Sequence, residues 1–194
     1  MTTVDNNEQI VGNEAKKSSS IWSNRFIIAA IAQGAIITGL TLSIVTAQLL
    51  VSGINIIQFL SLSFEGPAKW FFLGYIFYLI LVVAIAVTAV FCNHLEVNLD
   101  KQIHGFRSVL AWIHLIGMNV GGAATTIAMI LAGLIGSGML DLMLNRDMAD
   151  GTLQPNVEIM EHFITPIAAF ASLLSIGVIA GGVAYITTYL RKKK

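Results

Sequence analysis

The chain has 194 residues, of which 56% are hydrophobic and 11% charged, and its mean hydropathy is +0.78. Soluble globular proteins carry about 25% charged residues, so this composition excludes a soluble domain and predicts an integral membrane protein. The 11 basic and 11 acidic residues cancel, which argues against a nucleic-acid partner. The single cysteine excludes an internal disulfide and offers no zinc-type spacing.

The N-terminal part of the chain divides into a tail and a first span. Residues 1–20 are polar, contain no apolar run, and are expected to be a disordered tail. Residues 26–50 form an apolar run of full membrane length, because about 20 residues at 1.5 Å rise cross a bilayer core. We therefore expect this run to stay attached rather than to be cleaved as a signal peptide. Gly34 and Thr38 belong to a small and polar face that predicts helix packing.

The uncharged sequence continues to Phe64, too far for one straight helix across a bilayer. Residues 56–64 are therefore expected to lie in the membrane interface before the chain turns. The second span is predicted over residues 70–93. Its side chains are bulky and aromatic with few small residues, which predicts a helix that presents much of its surface to lipid.

The third span, predicted over residues 109–138, is expected to organise the bundle. Every third or fourth residue gives a stripe of small side chains that begins with one imidazole: His114, Gly117, Gly121, Thr125, Ala128, Ala132 and Gly136. In lipid, helices associate where small residues let their backbones approach, and Gly117 and Gly121 form the GxxxG pattern. We predict that this stripe packs against the similar face of the first span.

The fourth span is predicted over residues 163–190, with Pro166 in its first turn. Alternatively, Pro166 lies within a helix that begins near Pro155 and kinks it. The span carries a second GxxxG pattern, Gly177 and Gly181, and ends in the basic residues 191–194.

Four spans place both termini and the middle connection on one side of the membrane. Nine of the 11 basic residues lie on that side, and only Lys69 and Arg146 lie on the other. Under the positive-inside rule, both termini are cytoplasmic and the acidic connection over residues 141–161 is outside. The sequence thus predicts an all-α integral membrane protein, a four-helix transmembrane bundle in the cell membrane.

Histidines are the candidate cofactor ligands. His114 faces the small-residue stripe within the membrane, and a haem would need a second histidine at matching depth on a facing helix. His94 lies near the same surface but on a different face of its helix, and His162 lies at the opposite surface. We therefore predict no cofactor, and the alternatives are a haem at His114 and His94 or contact of His114 with a haem or quinone in a complex. The preferred interpretation of His114 is a buried neutral histidine that donates to a carbonyl on the next helix.

Other polar residues allow weaker hypotheses. Two patterns have metal-like spacing: Glu96, Asp100 and His104 in the inner connection, and Glu158, Glu161 and His162 in the outer one. Both are expected to be solvated faces, unless Asp141, Asp147 or Asp150 completes the outer one. Gln33 and Asn119, together with Thr41 and Gln48, either line a narrow polar path or hydrogen-bond between helices, and we prefer the second. No nucleophile–base pair or glycine phosphate loop is visible, so no catalytic residue is predicted.

The segment WIHLIGMN (residues 112–119), followed by LAGLIG (residues 131–136), resembles the late helices of haem-copper oxidase subunit I. The resemblance covers about one helix of the four and lies in an aromatic–histidine start, a Gly-x-Asn step and a Gly-Leu-x-Gly exit. The spacings depart from the family pattern and the family's metal-ligand helices have no counterpart, so no haem or copper ligand carries over. The resemblance implies a small subunit or truncated relative within a terminal-oxidase-like complex.

These features predict a non-catalytic multi-pass subunit that packs within a larger membrane complex, respiratory or otherwise energy-conserving. The expected partners are lipid and other membrane subunits or further copies of the chain. Two alternatives stay open: a haem-carrying cytochrome-type subunit, and a small channel or carrier. The spans carry no ionisable group at their centres, which argues against an autonomous ion transporter.

Overall fold

A computed structural model describes residues 20–50, 55–62, 66–144, 156 and 158–191. Within these ranges the chain is helical and contains no strand. Four helices are long and apolar enough to cross a membrane: Ile21–Leu50, Ala68–Asn98, Phe106–Gly136 and Ile159–Tyr189, called the first to fourth spans. Two short helices, Ile56–Leu62 and Met139–Leu144, follow the first and third spans. The prediction of an all-α, four-helix membrane bundle is confirmed; the tail (residues 1–19) and residues 192–194 lie outside the described residues.

Spans that follow one another in the sequence are neighbours in space. The first packs on the second, the second on the third, and the third on the fourth along its whole length. In the third span 56% of the most apolar stretch is buried, against 28% in the second and 17% in the first and the fourth. The third span is therefore the most enclosed of the four, as expected of the helix that organises the bundle.

The second span presents much of its surface outward, as its composition predicted, since only 28% of its most apolar stretch is buried. It lies between the first and third spans, and its buried residues recur every third or fourth position: Phe71, Gly74, Tyr78, Leu81, Ile85, Ala89 and Cys92. Large side chains such as Phe77 and Val83 do face outward on its other side. The bulky residues therefore cover two faces: one row fills the space between the helices through dispersion contacts, and the others face outward.

Gly117 and Gly121 of the third span contact the fourth span, not the first. A methyl group built on Gly117 would lie 2.6 Å from the Gly177 Cα, and one built on Gly121 would lie 2.6 Å from the Leu174 backbone nitrogen. A methyl group on Gly34 of the first span would meet only Val82, at an ordinary 3.9 Å. The predicted pairing of the first and third spans through their small-residue faces was therefore wrong. The fourth span offers the complementary glycine, which allows the closer backbone approach.

Two π-helical turns interrupt the regular helices. One, Gly117–Gly122, lies in the middle of the third span, and the other, His94–Asn98, ends the second. Such turns leave some backbone carbonyls without their usual helical partner and are frequent at functional sites. The fourth span begins at Ile159 and runs through Pro166, so the proline lies inside the helix rather than in a first turn at residue 163.

Candidate functional site

Three polar side chains from the first three spans meet inside the bundle and form a polar centre: Gln33, Tyr78 and Asn119. The fully buried Tyr78 hydroxyl donates to Gln33 Oε1 at 2.5 Å. Gln33 Nε2 in turn donates to Asn119 Oδ1 at 3.1 Å and is 3.3 Å from the Asn119 carbonyl, within the third span's π-helical turn. Asn119 Nδ2 donates to the Leu115 carbonyl at 2.8 Å. These polar groups therefore form a network of hydrogen bonds that joins three helices.

This arrangement favours the interpretation of helix-to-helix hydrogen bonding for Gln33 and Asn119. The same holds for Thr41, whose hydroxyl lies 2.8 Å from the Tyr75 hydroxyl on the second span. Gln48 Oε1 accepts from the Ile57 backbone nitrogen at 3.2 Å and so joins the first span to the short helix that follows it. Each such bond inside a membrane contributes about 0.6 kcal/mol, up to ~2 kcal/mol.

The His114 imidazole is held on three sides. Its Nδ1 lies 2.9 Å from the Gly177 carbonyl on the fourth span, and the Phe26 ring of the first span lies 5.4 Å away between centroids. The ring rests against Gly181, where a methyl group would collide with its atoms. Since a carbonyl can only accept, Nδ1 carries the proton and Nε2 keeps its lone pair.

A cleft of about 360 Å³ opens beside His114, between the second and fourth spans. Its walls are almost entirely apolar: Phe91 and Cys92 from the second span, and Val178, Ala184 and Ile186 from the fourth. Thr88 also lines the cleft, but its hydroxyl donates to the Ala84 carbonyl of its own helix at 2.9 Å. We call this space the His114 cleft.

Glu96 occupies a place that the sequence did not predict. The residue is buried, at 8% exposed, and its carboxylate accepts hydrogen bonds from the Ser20 hydroxyl and, at 3.2 Å, from the Trp22 backbone nitrogen. It therefore caps the N-terminus of the first span, where an anion is stabilised by the helix dipole. The prediction of a solvated Glu96–Asp100–His104 face was wrong, because the helix ends before Asp100, which has φ of 51°.

Next to this cap, the Arg25 guanidinium lies between two indole rings. Its central carbon is 4.6 Å from the centroid of the Trp22 ring and 4.7 Å from that of Trp112. The two rings also contact each other edge to face, with centroids 5.6 Å apart. Cation–π contacts of this kind fix the end of the first span against the third.

The structure does not bring the remaining candidate ligands together. His94 is exposed, and its Nδ1 lies 3.2 Å from the Asn98 Nδ2 four residues further along the chain. Glu158, Glu161 and His162 are all exposed. Over residues 20–50, 55–62, 66–144, 156 and 158–191, histidine, cysteine and acidic side chains form no group of three that could hold a metal ion. The aspartates at 147 and 150 lie outside the described residues.

No protein-family model, curated protein or solved structure matches this chain. The fold itself defines the class, an α-helical multi-pass membrane protein. The resemblance of residues 112–119 to late helices of haem-copper oxidase subunit I stays a prediction.

Sequence reasoning overlooked Tyr78 and the glycines that join the second and third spans. A methyl group on Gly74 would lie 2.8 Å from the Met129 Cβ, and one on Gly133 would collide with the Phe71 backbone. A signal for Tyr78 was present, because a tyrosine in the middle of an apolar span needs a hydrogen-bond partner for its hydroxyl. Gly74 stands alone in its apolar run, and Gly133 lies outside the small-residue stripe of the third span, so neither carried a comparable signal.

Proposed function

We propose that this protein is a non-catalytic multi-pass membrane subunit that packs within a larger membrane assembly, and that its first span forms the packing face. The supporting observation is an exposed stripe of small residues along that span: Ala32, Ala35, Gly39, Ser43 and Thr46. We call this stripe the first-span face. No other described part of the chain covers it.

The first-span face has the shape of a shallow groove. A methyl group built on Gly39 would meet nothing within 4 Å, whereas Ile36 and Leu42 beside it are 50% and 61% exposed. The Ser43 hydroxyl donates to the Gly39 carbonyl at 2.9 Å and keeps its lone pairs for an incoming donor. A surface of small residues bordered by large ones suits close approach of another helix better than it suits lipid chains. Its occupant is then a helix of another subunit or of a second copy.

The experiment compares two small-to-large substitutions on exposed surfaces. Gly39→Leu fills the groove, and Ala86→Leu places the same side chain on the exposed side of the second span. Each protein is extracted from native membranes in mild detergent, and the membrane chains that co-purify and the oligomer mass are measured. We expect the parent and Ala86→Leu to retain partners or self-associate, and Gly39→Leu to lose at least about tenfold in association, equivalent to about 1.4 kcal/mol.

Equal thermal stability of the two variants will show that the fold is intact. The proposal fails if the parent protein extracts as a monomer without partners, or if Gly39→Leu associates as well as Ala86→Leu does. The respiratory or energy-conserving setting of the assembly is a prediction that the identities of any co-purified chains will test.

We further propose that the protein lies in the cell membrane with both termini in the cytoplasm. In support, two basic residues distant in the sequence lie at one end of the bundle: Arg25 contacts the third span at Trp112, and Lys101 donates to the Tyr189 carbonyl at the end of the fourth. Single-cysteine labelling in a Cys92→Ser background tests this orientation. Asp150→Cys should react from outside intact cells; reaction only after the inner face is opened would invert the topology.

A further inference from the structure

We propose that the His114 cleft binds a lipophilic molecule that carries a hydroxyl head group, and that this hydroxyl donates a hydrogen bond to His114 Nε2. The chemistry is that of a quinol or another hydroxylated lipid with an apolar body. This inference is independent of the first-span face, none of whose residues lines the cleft.

The hydrogen-bond acceptor at the head of the cleft is His114 Nε2, and the contacts of the imidazole fix both its lone pair and its position. The Gly177 carbonyl takes the Nδ1 proton, so Nε2 presents a lone pair and no hydrogen. Phe26 and Gly181 hold the ring on its two sides, so it cannot turn over without moving a helix. Among the described residues nothing donates to Nε2. Every fully buried side-chain nitrogen or oxygen among these residues has a hydrogen-bond partner. Since Nε2 has none, it is not fully buried.

The rest of the cleft suits an apolar body. Its volume of about 360 Å³ falls in the range of small-molecule pockets, about 300–1,000 Å³, which are mostly apolar with a few placed polar groups. The second and fourth spans that form its walls both pack on the third span, and they contact each other through the rings of Phe91 and Tyr185, whose centroids lie 5.6 Å apart. Phe91, Val178 and Ile186 in the lining are 51%, 50% and 55% exposed, so the cleft opens at the outer surface of the bundle, from which a lipophilic ligand can enter. The Tyr185 hydroxyl, also in the lining, has no hydrogen bond to a described residue and offers a second polar contact.

The fixed tautomer predicts a preference between two forms of one ligand. A quinol hydroxyl donates to Nε2, whereas the carbonyl of the corresponding quinone would place a lone pair against a lone pair. The cleft should therefore bind the hydroxyl form more tightly than the carbonyl form of the same ring and tail. A purely apolar cleft would not bind the hydroxyl form more tightly than the carbonyl form.

The test uses the full chain in phosphatidylcholine nanodiscs under anaerobic conditions. Decyl-benzoquinol, decyl-benzoquinone and decanol are the probes, and the measured quantity is the ligand retained above that retained by empty nanodiscs. We expect the quinol to be retained about tenfold more tightly than the quinone. Decanol retained as tightly as the quinol would support the hydroxyl contact and assign the cleft to aliphatic alcohols. Decanol retained weakly would assign it to quinols.

Three variants separate a specific contact from general partitioning. His114→Leu removes the acceptor and should abolish the preference for quinol, and Gly181→Ala should weaken it by displacing the imidazole. Val83→Ala, on the exposed side of the second span, should leave binding unchanged. Should His114→Leu fail to fold, His114→Phe provides the same test, because its ring is close in size to the imidazole and carries no acceptor.

Three results would overturn the proposal. The first is equal retention of quinol and quinone by the parent protein, and the second is an undiminished preference in the folded His114 variants. The third is a haem absorption band after titration with haemin that disappears in His114→Gln. We expect no such band, because the other described histidines, His94, His104 and His162, are all exposed, whereas His114 lies within the bundle.

Discussion

The contact between the third and fourth spans differs in kind from the contacts that hold the first span. The third and fourth spans touch through their backbones at Gly117, Gly121 and Gly177, with no space for a methyl group. The first span is held by large side chains and hydrogen bonds, chiefly Gln33 and Tyr78. Burial from water provides no attraction between helices in lipid, so each interface depends on another source of free energy. The contact between the third and fourth spans depends on close dispersion contact, and the contacts of the first span depend on hydrogen bonds between polar side chains.

The largest expected effect comes from bulk at the glycine contact. Gly121→Leu places a branched side chain where a single methyl group would already lie 2.6 Å from the Leu174 backbone nitrogen. Rigid backbone cannot yield as a side chain would, so we expect a loss of about 3 kcal/mol or more, measured by thermal unfolding in detergent. Leu79→Ala, on the partly exposed side of the second span, serves as the comparison and should change stability little. Equal stability of Gly121→Leu and the parent would contradict the conclusion that close backbone contact holds this interface together.

A smaller effect is expected at the polar centre. Tyr78→Phe removes the donor to Gln33 Oε1 and leaves that oxygen without its partner inside the bundle, a cost of about 1–2 kcal/mol. In a double-mutant cycle, Tyr78→Phe and Gln33→Leu should be coupled. Tyr78→Phe and Ser175→Ala, on the exposed face of the fourth span, should be additive. Additivity in the first pair would show that the hydrogen bond does not stabilise the bundle.

His114 links the two kinds of interface, since its ring packs on Gly181 while its Nδ1 bonds the Gly177 carbonyl. His114→Gln can keep a donor to that carbonyl, whereas His114→Leu cannot. We therefore expect the glutamine variant to be more stable by about 1 kcal/mol. Thermal unfolding of both variants in the same detergent measures the difference, and a leucine variant as stable as the glutamine one would contradict it.

The smallest effect is expected at the end of the first span. Glu96→Gln removes the negative charge from the cap but keeps an acceptor for the Trp22 nitrogen, so the loss should be about 0.5–1 kcal/mol. Hydrogen exchange at the amides of residues 22–24 should speed up while the rest of the span is unchanged. Glu161→Gln is the control, because that side chain is exposed in the first turn of the fourth span and should have almost no effect.

Much of the fold could be predicted from the sequence because the bilayer imposes a length and a composition on each span. Four uncharged runs of sufficient length predicted four helices, and the small residues around Gly117 predicted the most enclosed helix. The predicted boundaries differ from the observed ones by a few residues at several ends. Such ends depend on capping contacts, such as those of Glu96, which lie far away in the sequence.

Only the tertiary structure decided which helices are partners and which polar groups meet. Gly34 and Gly177 both lie in small-residue faces. Nothing in the sequence around either glycine indicates that Gly177 approaches Gly117, whereas Gly34 makes no close contact. Similarly, the sequence placed His114 inside the bundle, but its tautomer depends on the Gly177 carbonyl. The cleft beside it depends on the separation of two other helices. Periodicity along a chain identifies the face of a helix. The partner of that face depends on complementary shape and on hydrogen bonds between distant segments.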